Sequence, residues 1–111
     1  MPAQQSIKLV HSPDGEIRLD NNSLRKTVLI IRSVNHKLRL QIIRLLDEHP
    51  QLSVTDIHQK LKIEQSIASQ HLAILRRSGV VITRRNGKFI YYTLNNERLD
   101  DIAACIKEMA T

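Results

Sequence analysis

Along the 111 residues the apolar positions change period several times, and each change marks an element. Ile7-Lys8-Leu9-Val10 and Glu16-Ile17-Arg18-Leu19 alternate apolar and polar around Ser12-Pro13-Asp14-Gly15. In that turn Pro presets one dihedral and Gly tolerates a positive φ. A short hairpin or an arm over residues 1–20 is expected. From Leu24 the spacing lengthens to that of a helix, with Leu24, Val28 and Ile31 on one side of a segment ending near Val34 and Asn21, Asn22 or Ser23 as its cap. A second helix is expected from about His36 to Glu48 on Leu38, Ile42, Leu45 and Leu46, ended by His49-Pro50. Ser53 caps a short third helix with Asp56 at its N3 position, turning Val54, Ile57 and Leu61 inward.

Residues 64–79, EQSIASQHLAILRRSG, form the next helix, which Gly79 stops. Ala68, Leu72 and Leu75 follow the i, i+4, i+7 pattern of a core-facing stripe. The opposite face carries Gln65, Ser66, Ser69 and Gln70, with His71 at its edge. A face that needs only to be solvated normally uses Glu and Lys, which are better helix formers than Ser. Short hydrogen-bonding groups suit base edges instead, and Gln pairs bidentately with adenine. Ile67 on the same turn fits either a thymine methyl or a half-buried place against a neighbouring helix.

The run VVITRRNGKFIYYTL, residues 80–94, is rich in β-branched and aromatic residues and broken by Asn86-Gly87. Asn-Gly predicts a type I′ turn, which would set Arg85 opposite Lys88, Thr83 opposite Ile90 and Val81 opposite Tyr92. Like charges facing each other cost stability, so a tip of Arg84, Arg85 and Lys88 makes most sense beside phosphates; an ordinary solvated turn is the alternative. A last helix, about Asn96 to Ala110, carries a stripe of Leu99, Ile102, Ala103, Ile106 and Ala110.

Composition sharpens this picture. There are 17 Lys and Arg against 11 Asp and Glu, a net charge of +6. The excess is concentrated: residues 24–93 hold 13 bases and four acids, between two mildly acidic ends. A basic middle suits a polyanionic partner. Cys105 is the single cysteine, which excludes an intrachain disulfide and any cysteine-rich zinc site. A small packed side chain explains it better than a redox switch, which needs a resolving thiol. No apolar run approaches the roughly 18 residues that span a bilayer, and residues 1–20 lack the apolar core of a signal peptide. A cytoplasmic protein without membrane contact is expected.

Helix, turn, polar-faced helix and basic hairpin make a winged helix-turn-helix: mainly α with a β-hairpin wing, and an extra N-terminal hairpin in residues 1–20. The sequence resembles the ArsR/SmtB family of dimeric winged-helix repressors over about residues 30–95. NHKLRLQIIRLL resembles the family's HPxRLxILxLL helix, QLSVTDIHQKL its third helix, EQSIASQHLAILRRSGVV its SxxSxHLxxLxxAGLV region, and RRNGKFIYYTL its wing. The resemblance implies a homodimer built through the first and last helices, here Leu24, Val28, Leu99, Ile102, Ala103 and Ile106. It also implies a palindromic operator in double-stranded DNA, repression, and DNA contacts from Ser66, Ser69, Gln70 and His71 together with the wing.

Two departures bear on the signal. Ser53 and Thr55 stand where relatives carry a CxC pair, and hydroxyls do not replace thiolates for soft metals. Asn96 and Arg98 fall where another family site has its Asp and His. His11, His36, His49, His58 and His71 show no HxxxH-type spacing, and Asp56 and His58, two apart on a helix, point to different faces. Surface or capping roles are expected, with no metal, no cofactor and an unidentified effector. A protein- or RNA-binding winged helix is the alternative function. An enzyme is disfavoured, because no catalytic constellation or phosphate-cradling glycine loop occurs.

Overall fold

Ser53 shows how the chain commits to its helices. Its hydroxyl accepts from the Asp56 amide at 3.2 Å while the Asp56 carboxylate accepts from the Ser53 amide at 3.0 Å, closing the expected capping box. A computed structural model describes residues 7–12 and 15–110 of the protein, with side chains described from Asp20 to Ala110. The element order is β1 (Ile7–Ser12), β2 (Gly15–Leu19), α1 (Asn21–Val34), α2 (Lys37–Glu48), β3 (Leu52–Ser53), α3 (Val54–Leu61), α4 (Gln65–Arg77), β4 (Val81–Asn86), β5 (Phe89–Leu94) and α5 (Asn96–Ala110).

β1 and β2 pair antiparallel, with Ile7 opposite Leu19 and Leu9 opposite Ile17, as the alternation predicts. Pro13 and Asp14 of the expected turn lie outside the described residues. The cap of α1 is Asp20 rather than Asn21, Asn22 or Ser23. Its two carboxylate oxygens take the Asn22 and Ser23 amides, both at 3.3 Å, and the Ser23 hydroxyl at 2.7 Å. A carboxylate serves two amides at once and carries the charge that a helix N-terminus favours.

The core is made of Ile42 and Leu46 from α2, Leu52 from β3, Ile57 from α3, Ala68, Leu72 and Leu75 from α4, Val80 and Val81 leading into the hairpin, and Ile102 from α5. Each fully buried Leu, Ile or Val contributes about 1.5–3 kcal/mol, so α4 is held by its three-residue stripe. Its C-terminus closes in a Schellman motif: Val80 N–H donates to Leu75 O at 2.9 Å, Gly79 N–H to Arg76 O at 3.0 Å, and Gly79 takes φ +78°. α3 ends the same way, with Ile63 N–H on His58 O and Lys62, at φ 56°, in the left-handed position.

The wing departs from the expected register. Arg85 faces Ile90, not Lys88; Thr83 faces Tyr92, not Ile90; and Val81 faces Leu94, not Tyr92. The base of the hairpin decides this. Val81 and Leu94 pack at the core, Asn95 N–H donates to Val80 O, and its side-chain amide donates to Gly79 O, both at 2.9 Å. With the base anchored there, the two-residue connection becomes Gly87-Lys88. Gly87 has φ +66° while Asn86 and Lys88 do not enter the positive region, as a type II′ turn requires. The like-charge pairing of Arg85 and Lys88 disappears with the shift. β3, two residues long, adds to the outer side of β5 through Leu52 opposite Tyr92 and Ser53 opposite Tyr91, giving the order β3-β5-β4.

Candidate nucleic-acid interface

With Ala68, Leu72 and Leu75 fixed inward, helical geometry sends Gln65, Ser66, Ser69 and Gln70 outward, and all four are exposed. Ile67 is 37% exposed, at the edge of this face rather than in the core. Glu64 occupies the cap position of α4 but makes no side-chain hydrogen bond to the helix amides. The first N–H groups of α4 therefore keep their donors available to an outside acceptor such as a phosphate.

His71 is placed differently from its neighbours. It is half-buried, with its ring centroid 4.7 Å from that of His36, and its Nδ1 lies 3.1 Å from Nη1 of Arg39. A guanidinium can only donate, so Nδ1 accepts, and the proton of the neutral ring sits on Nε2. Burial, then the neighbouring His36 and Arg39, holds the His71 pKa below the ordinary 6.5. Arg39 also donates to the Ser33 carbonyl, and His36 caps α2 by accepting the Leu38 amide at 3.0 Å. His71 thus joins α4 to the start of α2 and to the end of α1. Sequence reasoning missed Arg39 and His36 in this role, since partners 32 and 35 positions away leave no local signal.

Arg84, Arg85 and Lys88 are all exposed on the wing. Residues directly opposite across the hairpin share a face. Arg85 therefore lies with Ile90 on the face that continues into the core, and Arg84 lies with Tyr91 on the other. Phe89 and Tyr91, on the same face as Arg84, have ring centroids 6.2 Å apart with their planes tilted by 43°. Lys88 is in the turn, and Arg85 Nε donates to Gly87 O at 3.4 Å.

The residues expected at a subunit interface divide into two groups. Ile102, only 7% exposed, belongs to the chain's own core, and Leu99 packs against it. One edge of the α5 stripe, Ile102 with Leu99, is thus turned toward the chain's own core. Leu24, Val28, Ala103 and Ile106 remain exposed. Cys105 is half-buried.

At the place of the familiar metal site on α3, Ser53 is buried within its capping box and Asp56 is engaged by it, while nearby His58 Nδ1 meets the Ile63 carbonyl at 3.2 Å. Among the described residues no three His, Cys, Asp or Glu side chains gather as a metal site would need. Among the same residues no helix is long and apolar enough to cross a membrane.

Comparison with known proteins agrees with this geometry. Residues 36–83 match the family model described as bacterial regulatory protein, arsR family. The chain is 38% identical over 86 residues to the transcriptional repressor PagR of Bacillus anthracis, covering 77% of this chain and 85% of PagR. It is 38% identical over 78 residues to the transcriptional activator HlyU of Vibrio cholerae, covering 70% of each. The solved structure of that HlyU superimposes with a TM-score of 0.63 at 34% identity, over 84% of this chain and all of HlyU. That of PagR gives 0.65 at 36% identity, over 78% and 99%. With the polar outer face of α4, the basic wing and these relatives in agreement, the chain belongs to the ArsR family and is a winged-helix, DNA-binding transcriptional regulator rather than an enzyme.

Proposed function

We propose that two copies of the chain bind a palindromic operator in the cytoplasm and repress transcription by occupying it. The outward face of α4 carries this reading: Gln65, Ser66, Ser69 and Gln70 are exposed beside amides that no side chain caps. Gln70 and Gln65 read base edges in the major groove, Ile67 touches a thymine methyl, and Ser66 and Ser69 reach bases or phosphates. Arg84, Arg85 and Lys88 take phosphates beside the groove. His71 acts by holding α4 against α2, with its Nε2–H as a spare donor.

The dimer is formed by α1 and α5. Val28, Ile31, Leu40 and Ile106 line a largely apolar groove of about 480 Å³, and Met109 is 83% exposed. Apolar side chains concentrated on two terminal helices favour burial against a second copy, and an isologous contact gives the two-fold symmetry that a palindrome mirrors. Neither familiar metal site supplies the signal, because Ser53, Thr55, Asn96 and Arg98 replace the ligands; zinc, cadmium or arsenite leaves operator affinity unchanged. PagR is named a repressor and HlyU an activator, so the direction of regulation is tested separately with a reporter carrying the selected site.

Selection of bound sites from random duplexes at near-physiological salt is the test. An enriched inverted repeat, with half-site centres about 10 base pairs or a multiple apart, is expected. Binding without any enriched sequence would replace this reading with a sequence-indifferent one.

A further inference from the structure

The end of α4 away from its reading face borders a cavity of about 580 Å³, within the range of small-molecule sites. Six bases line it: Lys26 and Arg32 of α1, Arg39 of α2, Arg76 and Arg77 of α4, and Arg98 of α5. No acidic side chain does. Leu29, Ile30 and Ile74 supply apolar wall, and Leu29 is 58% exposed there.

Helix dipoles explain half of this charge. Arg32 lies in the last turn of α1, and Arg76 and Arg77 in that of α4, where cations are favoured. Arg39 and Arg98 occupy the third positions of α2 and α5, at N-terminal ends where the dipole opposes a cation, and Lys26 is in neither terminal turn of α1. The Arg98 guanidinium also lies over Gly79, where an added Cβ would come within 3.2 Å of its Nε. The bare Gly79 backbone lets that side chain lie against the mouth of the turn. Although Arg39 is also held by the Ser33 carbonyl and His71 Nδ1, six cations around a wall without acids make a positive field that an anion in the cavity would relieve.

We propose that this cavity binds a small organic polyanion, bearing two or more carboxylate or phosphate groups on an apolar body that rests on Leu29, Ile30 and Ile74. Arg77 and Arg98 bind its anionic groups bidentately, as planar guanidinium groups do. The site is separate from the operator contacts: Ser66 and Arg76 are about 15 Å apart along the helix axis.

The probes are benzene-1,3,5-tricarboxylate, inorganic pyrophosphate and neutral benzamide, titrated into the intact protein without DNA. Calorimetry and the NMR signals of the Arg Nε–H groups and of the Ile30 and Ile74 methyls are the readouts. Saturable binding of one tricarboxylate per chain is expected, tighter than pyrophosphate, with no saturation by benzamide. Arg77→Gln and Arg98→Gln should each weaken it by roughly tenfold, the scale of one charged hydrogen bond, with circular dichroism unchanged. Arg77→Gln is the safeguard if Arg98→Gln disturbs the turn at Gly79. Absence of saturation, or saturation indifferent to both variants, overturns the proposal. So does an operator arm in which the small anions do not saturate while Arg98→Gln weakens operator and random DNA equally and lowers the salt slope by about one, since the phosphate is then the DNA's own.

Discussion

The helix-turn-helix segment and the two terminal helices treat their apolar residues in opposite ways. α4 buries Ala68, Leu72 and Leu75 completely and leaves Ile67 as its one exposed large apolar residue. α1, of similar length, buries only Ser33 and leaves Leu24, Val28 and Leu29 exposed; α5 buries Ile102 and exposes Ile106 and Met109. The middle of the chain folds around its own core, whereas the ends leave apolar side chains uncovered, and this difference supports the proposed dimer in which a second copy would cover them.

Breaking the middle should have the largest effect. Leu72→Ala removes a fully buried side chain and should cost about 3 kcal/mol of stability, read from urea unfolding. The matching change at the end of the chain, Ile106→Glu, should leave the stability of the isolated subunit within about 0.5 kcal/mol. It should instead give monomers that bind the operator poorly; an unchanged dimer in sedimentation places the interface elsewhere.

Ser53→Ala removes half of the capping box and should cost about 1 kcal/mol. It also has a signature in acid. Hydrogen bonds from the Ser53 amide and hydroxyl hold the Asp56 pKa below its ordinary 3.8. That contribution is present above pH 3.8 and lost as pH falls through the lowered value, so the variant should lose less stability on acidification than the parent does. The smallest effect is expected at His71. Its pKa is lowered in the fold, so below about pH 6.5 the unfolded chain binds more protons. Stability should be full above that pH and decline beneath it. His71→Gln should flatten the decline in urea midpoints measured between pH 7.5 and 5.5.

The helices were legible because each is written in local terms: a period of apolar positions, a cap, a stop. Ser53 and Asp56, and Gly79 with Val80, do in the structure what their spacing implies. What could not be read locally was set by distant partners. The wing register follows from Asn95 and Leu94 meeting the core, which overrides the preference of Asn86-Gly87 for a type I′ turn. β3 is too short to show a pattern and exists because β5 offers it an edge. The outward face of α4 was visible from periodicity alone, whereas the contact of His71 with Arg39 was not. A helical stripe likewise does not say whether it turns to its own core or to a partner: on α5, Ile102 turns to the chain's own core while Ile106 stays exposed.

If the exposed face of α4 reads bases while the wing holds phosphates, the two kinds of contact separate when operator and random duplexes are titrated side by side over a range of salt. Lys88→Ala or Arg85→Ala should weaken both duplexes alike and lower the salt slope by about one unit. Gln70→Ala should weaken the operator by about 1–3 kcal/mol and leave random DNA nearly unchanged, lowering the ratio of specific to non-specific affinity. An equal loss on both duplexes for Gln70→Ala would contradict base reading by α4.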